Sequence, residues 1–365
     1  MKVCHFTSAH KSGDVRIFLK ECVSLAAAGH SVTLVAANCA TEVLQGVNVV
    51  GVEVPVSGRF TRMSKAAKIV FKKVLTIDAD VYHFHDPEML RFALKLKKKG
   101  KKVVYDVHED VPRQILGKYW INKYLRKAIS VSFEAFENYV AKRVDFVVAA
   151  TPFIRDRFLK INKNCIDVCN YPILDDHVFD VDWKNKGNEI CYVGGITKVR
   201  GIVELLNSLE GTSVQLNLAG DFSPLELKSE LESLAGWKNV NNIGFVGRTE
   251  IYGIFSSSKI GVVTLHPIVN YLDSLPIKMF EYMMAGIPVI ASDFPLWKQI
   301  IEEYNCGICV DPQNPNEIRK AILSLLSNDE LAEKMGQNGK KVVFEKFNWK
   351  VEENKLLNLY KRFES

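Results

Sequence analysis

The sequence predicts an α/β protein built from two similar lobes, each with a mostly parallel, doubly wound sheet. Short apolar runs alternate with amphipathic stretches through the 365 residues, which is typical of repeated β-α units. A polar, acidic segment at residues 171–188 interrupts this alternation once, and we interpret it as a linker. At about 150 residues per domain, the length accommodates two lobes.

Six strands are predicted in the first lobe, near residues 2–7, 31–37, 47–54, 80–85, 102–107 and 144–150. After the first strand, apolar residues at 15, 18, 22, 25 and 26 follow a helical period from Asp14 to Ala28. Gly29 stands where a left-handed glycine commonly ends a helix.

Six more strands are predicted in the second lobe, near residues 189–194, 213–219, 241–246, 259–265, 287–291 and 306–310. A helix at residues 349–363 follows, and it is available to cross back because the second sheet does not require it. We therefore expect a first lobe at 1–175, a second lobe at 176–346 and a crossing helix at 347–365.

Composition narrows the class of protein. Apolar residues make up 47% and charged residues 25% of the chain, which is the usual mix of globular proteins. No run approaches the roughly 18 to 20 apolar residues of a bilayer span, and residues 1–7 are too short for a signal peptide. A cytoplasmic protein is therefore expected.

The eight cysteines are too sparse for a disulfide framework, and buried free thiols are expected. Cys306 and Cys309 form a C-x-x-C pair, but zinc needs about four ligands and no second pair lies near. We predict neither a metal nor a redox role for them.

Positive charge is concentrated at the beginning of the chain. Residues 1–180 carry 28 Lys and Arg against 19 Asp and Glu, a net charge of +9, while residues 181–365 carry 20 against 23. Residues 59–130 alone have a net charge of +11, from 18 basic and 7 acidic side chains. Such a surface attracts anionic partners.

The segment from Asn270 to Ala285 holds the strongest site candidates. It follows a predicted strand, and ligands of open α/β sheets bind at the carboxyl ends of the strands. Pro276 is predicted as the first helical residue, with Asp273 or Ser274 as the cap, so that the helix start at residues 275–277 faces a phosphate. Lys278 and Glu281 share a helix face. A helix cap with a surface ion pair is the alternative interpretation.

Several segments resemble family 4 retaining glycosyltransferases. Asp273 and Glu281 stand in a D-x7-E pattern followed by MMAGIPVIASD, similar to the E-x7-E segment of that family. FTSAHKSGDVRIFLKECVSLAAAGHSVTLVA, DVYHFHDPEML, YVGGITKVRGIVELL, LAGDF and CGICVDPQNP also resemble family text, so the resemblance covers essentially the whole chain. It implies a GT-B fold: two Rossmann-like lobes facing a cleft, with the donor on the second lobe, the acceptor on the first, and the last helix crossing back.

The resemblance also implies roles in donor binding. Glu281 matches the glutamate that accepts hydrogen bonds from the ribose, and Asp273 matches the one that contacts the donor sugar, where the family has Glu. In the diphosphate-binding G-R-x4-K-G pattern, this chain has Gly194 before Gly195, which replaces the Arg, and Arg200, which replaces the Lys. Lys278, Leu275, Pro276 and Ile277 are the other candidates for the diphosphate. A solvated charge is the alternative role for Arg200.

In the first lobe, His85 aligns with a family histidine beside the anomeric carbon, so the predicted catalytic residues are His85, Asp273 and Glu281. His108 is a second candidate, and Gly13 and Asp14 lie in a loop that resembles the family loop closing on the donor. His83 is predicted to be a satisfied core histidine. The expected cleft residues are Gly13, Asp14, His108, Gly194 and Gly195.

Two competing classes have little support. A nicotinamide-dependent enzyme should show G-x-G-x-x-G after the first strand, where this chain has SAHKSGDV, and no acidic residue ends the second strand. No motif supports nucleic-acid binding. A noncatalytic nucleotide-sugar-binding protein of the same fold remains the open alternative.

The sequence therefore predicts a hexosyltransferase that uses a nucleoside diphosphate sugar and needs neither a metal nor a further cofactor, and the family resemblance implies that configuration is retained. The expected acceptor is a glycan or a lipid-linked sugar of bacterial surface polysaccharide or glycolipid assembly. An anionic membrane surface, at the inner face of the cell membrane, is a further expected partner. This follows from basic residues interleaved with aromatic ones, namely Lys65, Lys68, Lys72, Lys73, Lys118, Lys123 and Arg126 with Phe60, Phe71, Tyr119, Trp120 and Tyr124.

Overall fold

The chain packs as two compact units in a computed structural model that describes residues 1–55, 62–118, 120–174, 183 and 186–364. Unit 1 comprises Met1–Asn170 with Trp349–Ser365, and unit 2 comprises Tyr171–Asn348. The domain boundary predicted between residues 175 and 176 lies outside the described residues. The predicted crossing helix is found as Trp349–Lys361, and it packs with unit 1.

Unit 1 contains a sheet of eight described strands in the order β3-β4-β2-β1-β5-β6-β7-β8. The strands are β1 Lys2–Thr7, β2 Ser31–Ala37, β3 Glu42–Leu44, β4 Val47–Val52, β5 Val81–Phe84, β6 Lys102–Val107, β7 Phe146–Ala149 and β8 Cys165–Asp167. All pairs are parallel except β3 with β4. The strand order reverses between β1 and β5, where doubly wound sheets place their ligand.

The helices of unit 1 cover both faces of this sheet's core strands. They are α1 over Val15–Cys22 and Val23–Ala27, α2 Ala67–Val74, α3 Leu90–Lys98, α4 Val111–Leu116, α5 Lys123–Ala141, α6 Pro152–Leu159 and the final helix, labelled α15, at Trp349–Lys361. The first part of α1 is π-helical, and Asp14 caps it by accepting hydrogen bonds from the backbone of Arg16 and Ile17. Gly29 follows with φ +89°, as the sequence predicted.

Unit 2 contains a parallel sheet of six described strands in the order β11-β10-β9-β12-β13-β14. The strands are β9 Glu189–Val193, β10 Gln215–Ala219, β11 Val240–Gly244, β12 Ile260–Val263, β13 Val289–Ser292 and β14 Gly307–Val310. The helices are α7 Ile202–Leu209, α8 Leu227–Glu232, α9 Arg248–Ser257, α10 Val269–Leu272, α11 Ile277–Met284, α12 Pro295–Tyr304, α13 Pro315–Leu326 and α14 Asp329–Glu345. The strand order reverses between β9 and β12, so this unit is also doubly wound.

The ends of the predicted linker are packed into unit 2. Tyr171 is buried, and its ring lies against Phe280 and Phe347, with centroid distances of 4.7 and 5.2 Å. Lys186 Nζ donates to the carbonyls of Phe255, Ser256 and Ser258 at the end of α9, at 2.7 to 3.0 Å. The linker predicted from polar composition was therefore too long at both ends. A polar residue such as Lys186 can be buried when it caps a helix C-terminus.

Sequence patterns missed β3 and β8. Each has three residues, which is too short for an alternating pattern to emerge. The predicted start of α11 is also wrong: Pro276 is the residue before the helix, and neither Asp273 nor Ser274 caps it. Asp273 instead ends α10, which no pattern indicated. None of the described helices has the length and apolar character needed to cross a membrane.

Candidate functional site

In unit 2, two cations converge on the loop after β9. If Gly194 carried a Cβ, this atom would lie 3.0 Å from Lys278 Nζ and 3.5 Å from Arg200 Nη1. Lys278 belongs to the first turn of α11, whereas Arg200 ends a short 3₁₀ turn at Lys198–Arg200. Residues 78 positions apart are therefore brought to one point at the carboxyl edge of the sheet.

Lys278 is buried without a hydrogen bond. Its Nζ has no hydrogen-bond partner and lies 3.8 Å from the centroid of the Tyr192 ring, a cation-π contact. Burial, followed by the positive charge of Arg200, lowers the pKa of Lys278 well below its usual value. An ammonium group in such surroundings favours an anionic ligand.

The glycines of this loop are required by close packing. Gly194 has φ +130° and Gly220, after β10, has φ +146°. A Cβ on Gly220 would lie 2.0 Å from the carbonyl oxygen of Gly194. The Arg200 guanidinium donates to the carbonyl of Gly195 at 3.2 Å, which fixes its position beside the loop. This accounts for Gly194 and Gly220 in physical terms, while the cleft role predicted for Gly195 stays a prediction.

The segment between α10 and α11 contributes the predicted carboxylates. Asp273 ends α10, and Glu281 lies in the second turn of α11; both are half-buried. The connection at Ser274, Leu275 and Pro276 is held by Trp297, whose Nε1 donates to the Ser274 carbonyl at 2.6 Å. The first N–H groups of α11, beginning at Ile277, lack partners within the helix and carry its positive dipole end.

Unit 2 also contains polar groups that the sequence did not single out. His266 follows β12, and its Nε2 lies 3.0 Å from a carboxylate oxygen of Glu204 in α7. The Thr264 hydroxyl is buried without a hydrogen-bond partner, and Gly201 packs against the Thr264 carbonyl. For Thr264 and His266, the sequence signal was their position after β12, at the carboxyl edge, whereas nothing in the sequence pointed to Glu204 in α7.

In unit 1, the predicted histidines belong to a buried network around Asp106. His85 follows β5, and its Nδ1 lies 3.0 Å from Asp106 Oδ2. His108 follows β6, with its Nε2 2.8 Å from the same oxygen. Arg16, from the π-helical part of α1, pairs with both oxygens of Asp106, at 3.1 and 2.7 Å.

This network sets the protonation of its members. Burial by itself would raise the pKa of Asp106, but Arg16 and His108 hold it well below its usual value. Burial lowers the pKa of His85 in spite of its hydrogen bond to Asp106, so this imidazole is neutral at pH 7. A neutral imidazole can either donate or accept a hydrogen bond.

Behind His85 lies a second row of buried groups that sequence reasoning missed. His5, in β1, places Nδ1 3.0 Å from His85 Nε2. His83 is buried as predicted, with its Nδ1 2.8 Å from the Tyr360 hydroxyl, but its Nε2 has no hydrogen-bond partner. The carboxylate of Glu21 is fully buried beside Arg16, at 3.2 Å. Parallel register aligns His5 with His83, a pairing that the sequence alone does not reveal.

The loop after β1 is held by Asp86. The Asp86 carboxylate accepts a hydrogen bond from the Thr7 hydroxyl at 2.9 Å and lies 2.9 Å from His10 Nδ1. Asp14 caps α1, and Gly13 beside it has neither a positive φ nor a neighbour that would exclude a side chain. The predicted roles of Gly13 and Asp14 in the site remain predictions.

Two clusters of potential metal ligands occur among the described residues, with ligand atoms within 4.8 Å: Glu21, His83, His85 and Asp106, and Asp167, Cys169 and Glu352. A cation of the protein already lies between the carboxylates of each cluster. Arg16 contacts Asp106 and Glu21, and Lys355 lies 2.8 Å from Asp167 and 2.9 Å from Glu352. Burial raises the pKa of Cys306 and of Cys309 to about 12, so neither is a thiolate at pH 7.

Two family models match the chain, one on each side of residue 170. Glycosyl transferases group 1 matches residues 175–342, and Glycosyltransferase Family 4 matches residues 13–169. Together they span nearly the whole chain, so the protein belongs to the family 4, group 1 glycosyltransferases. The resemblance seen in the sequence is thereby confirmed.

The curated relatives have low sequence identity to this chain, and the matches cover between about half and four fifths of it. An uncharacterized glycosyltransferase of Methanocaldococcus jannaschii is 22% identical over 80% of this chain and 78% of its own length. The D-rhamnosyltransferase WbpZ of Pseudomonas aeruginosa is 25% identical over 74% of this chain and 70% of its own. A phosphatidyl-myo-inositol mannosyltransferase of Mycobacterium leprae is 26% identical over 48% of this chain and 46% of its own.

Solved structures confirm the fold. A sucrose-phosphate synthase of Thermosynechococcus elongatus superposes with a TM-score of 0.75 over 99% of this chain and 98% of its own, at 17% identity. Anabaena HepE in complex with UDP and glucose gives 0.73 over 99% of each chain, at 13% identity. The GT-B class predicted from the sequence is therefore correct, with two α/β units built on largely parallel sheets.

Proposed function

We propose that the protein transfers a hexose from a nucleoside diphosphate sugar to an acceptor hydroxyl. The observation that carries this proposal is the pair of cations at Gly194, where Lys278 Nζ is buried without a hydrogen bond beside Arg200. The positive charges of Lys278 and Arg200 repel each other, whereas a bound diphosphate would compensate both charges. The similarity to HepE, which was solved with UDP and glucose, supports this choice of ligand.

In this proposal, each part of the donor contacts its own residues of unit 2. The diphosphate lies on Arg200, Lys278 and the N-terminal turn of α11, which together stabilise the leaving group. Glu281 accepts hydrogen bonds from the ribose hydroxyls, and Asp273 contacts the sugar. Asp273 is one methylene shorter than glutamate, so we expect its contact to depend on the position of α10.

Unit 1 is proposed to serve the acceptor. In the structure, the His85 side chain is buried with Nδ1 3.0 Å from Asp106 and Nε2 3.0 Å from His5. Its proposed role, hydrogen bonding to a sugar hydroxyl or proton relay, therefore requires Nε2 to exchange His5 for the ligand. His108 shares the same carboxylate and is the second candidate. Substitution of His85 by Asn, which keeps one hydrogen-bonding group but cannot relay a proton, should separate these two roles.

Transfer is proposed to retain the anomeric configuration, on the ground of the family resemblance. It is also proposed to need no metal, since Arg200, Lys278 and the dipole of α11 supply the positive charge. The anomeric configuration of the product can be read by proton NMR. Activity should survive excess chelator. Loss of turnover on chelation, with recovery on adding Mg²⁺ or Mn²⁺, would overturn the proposed role of the two cations.

The acceptor class is proposed from the relatives. One acts on phosphatidyl-myo-inositol and another is a D-rhamnosyltransferase, and both fit assembly of a surface polysaccharide or a glycolipid. We also propose contact with an anionic membrane surface through the basic residues around α2. Lys65, Lys68, Lys72 and Lys73 are exposed, and each basic residue near such a surface contributes about 1 kcal/mol. Phe71 is buried in the core and takes no part, while Phe60 and Tyr119 lie outside the described residues.

The decisive test combines ligand binding with turnover. Nucleoside diphosphates differing in base should be compared for the rise in melting temperature, with the matching monophosphates as controls; at 100 times Kd the expected stabilisation is about 2.7 kcal/mol. No stabilisation by any diphosphate would refute the proposal. Stabilisation without sugar transfer, over a panel of acceptors, would favour a noncatalytic nucleotide-sugar-binding protein.

Glu281→Gln should abolish transfer while changing the melting temperature little, because the carboxylate serves a ligand. Glu333→Gln, at an exposed position of α14, is the matched control and should keep full activity. Full turnover in Glu281→Gln would show that Glu281 has only a structural role.

A further inference from the structure

Helix α5 turns apolar side chains toward solvent along its whole length. Tyr124 is 84%, Val131 57% and Leu125 56% exposed, and Ile129, Phe136 and Tyr139 are exposed as well. At 100° per residue these six positions fall within an arc of about 160°. In this arc, the intervening exposed residues of the helix are Ala128, Ser132 and Ala135. A charged group reaches the face at its C-terminal end, where the guanidinium of Arg143 lies 3.5 Å from the centroid of the Tyr139 ring.

The opposite face of α5 packs on unit 1 with both apolar and polar side chains: Val140 and Ala141 are fully buried in the core, and Phe133 packs against it. Ser130 is buried, and its hydroxyl donates to the Pro112 carbonyl at 2.8 Å. Glu137 is fully buried and accepts a hydrogen bond from the Tyr105 hydroxyl at 2.8 Å. By contrast, the outward residues of α14 are mostly charged or polar. The outward apolar face of α5 is therefore additional to the side chains that pack this helix on unit 1.

Exposed apolar side chains also occur on neighbouring segments. Leu116, at the end of α4, and Phe153, in α6, are exposed, but they line a groove with Ser130 and Glu134, which lie outside the apolar arc of α5. Trp120, just before α5, is also largely exposed. Exposed apolar patches of this extent mark contact with a lipid surface or a protein.

The charges at the ends of α5 favour a lipid surface over a second copy of the protein. Lys123 and Lys127 are exposed in the first turns, and Lys142 and Arg143 are exposed directly after the last turn. The exposed acidic residue of the helix, Glu134, lies 3.9 Å from Arg157. Two copies packed along this helix would bring cations against cations in either direction, whereas anionic headgroups complement both ends.

We propose that α5 lies flat in the interface of an anionic bilayer, with its six apolar side chains below the headgroups and the flanking cations at headgroup level. The proposal adds a second contact to the membrane contact proposed for the basic residues around α2. It rests on that proposed function only in taking unit 1 as the unit that faces the membrane. A helix of 19 residues is about 28 Å long, which suits an in-plane helix. Tyrosine is favoured at this depth.

The test is cosedimentation of the full chain with vesicles of phosphatidylglycerol and phosphatidylcholine, without donor or acceptor, at low and high salt. The double variant Leu125→Ser with Phe136→Ser should lower the partition coefficient at least tenfold. Phe245→Ser, at a position 77% exposed in unit 2, is the matched control and should bind as the parent does. In addition, Tyr124→Trp should be quenched by lipids brominated on the upper acyl chain.

Three results would overturn the proposal: unchanged binding of the double variant, absence of quenching in Tyr124→Trp, or a lipid-independent dimer in sedimentation that the double variant abolishes. The last would identify α5 as a self-association surface. Stabilisation by nucleoside diphosphates is measured separately and should be the same in the double variant and the parent. Failure of the membrane proposal therefore leaves the proposed donor site untouched, and the reverse also holds.

Discussion

The two units contain buried charge in opposite arrangements. In unit 1, Asp106 is surrounded by Arg16, His85 and His108, so each charge meets a partner inside the protein. In unit 2, Lys278 lies beside a second cation, Arg200, and its Nζ has no hydrogen bond. The first arrangement compensates the charge of Asp106 inside the protein, whereas the second leaves Lys278 beside another cation, which a bound anion would compensate further.

This difference separates stability from function. Removing one member of a paired, buried network leaves an uncompensated charge, and such changes typically cost several kcal/mol of stability. Removing an unpaired buried cation relieves repulsion and desolvation instead, so its loss should harm binding but not folding. Substitutions in the two units should therefore show opposite effects.

The largest effect is expected for Asp106→Asn. Arg16 would lose one of its two carboxylates and keep Glu21, and the hydrogen bonds of His85 and His108 to Asp106 would be weakened, so the free energy of unfolding should fall by roughly 3 kcal/mol at pH 7. Chemical denaturation measures this change. Asp293→Asn, at a half-exposed surface ion pair of unit 2 with Lys298, should change stability by less than about 1 kcal/mol. Equal stability of Asp106→Asn and the parent would mean that the network does not support the fold.

Next in size is the effect of Arg200→Ala on transfer. Loss of one charged donor to a leaving group typically lowers kcat by about 10²–10³-fold, and we expect a loss of this order in kcat/KM. The melting temperature should remain close to that of the parent. Lys198→Ala is the matched control. Lys198 stands two residues before Arg200, is exposed and forms an ion pair with Glu230. Comparable activity in both variants would contradict the assignment.

A smaller effect is expected from Gly220→Ala. With φ +146° and the Gly194 carbonyl 2.0 Å from the new Cβ, the loop must shift, at a cost of about 1–3 kcal/mol. Because Gly194 would move, affinity for the nucleoside diphosphate should also fall. Gly13→Ala has no such neighbour and should change stability by less than about 0.5 kcal/mol. Calorimetric unfolding and titration of both variants decide the point, and identical behaviour would refute it.

The smallest effect is a proton taken up on donor binding. The pKa of Lys278 lies well below its usual value in the free protein, so the free protein has lost this proton at pH values where a bound diphosphate would restore it. Between the free and bound pKa values, binding should take up a fraction of a proton, and affinity should fall as pH rises. Titration calorimetry in two buffers of different ionisation enthalpy measures the uptake. Lys278→Arg should abolish it, and uptake that persists in this variant would assign it to another group.

Much of the fold was predictable because periodicity reports burial directly. The predicted strands at 2–7, 31–37 and 102–107 agree with the structure in their bounds, since long buried strands in parallel sheets read as apolar runs. Gly194 and Arg200 could be singled out by a different signal, the resemblance to the diphosphate-binding pattern of the family. The short edge strands β3 and β8 and the capping of α11 could not, because three residues contain no period and a cap is a local geometric detail.

The sequence by itself determined the two doubly wound units, the family and the residues after each strand, since these follow from local pattern and chain order. Only the tertiary structure decided which of those residues meet. It placed Lys278 near Arg200 and His5, His85 and His108 near Asp106. Strand register and sheet order bring such distant residues together. It also showed that α5 faces outward with its apolar side, which the pattern of α5 alone would have placed inward. Burial depends on what packs against a helix, and a single chain segment does not contain that information.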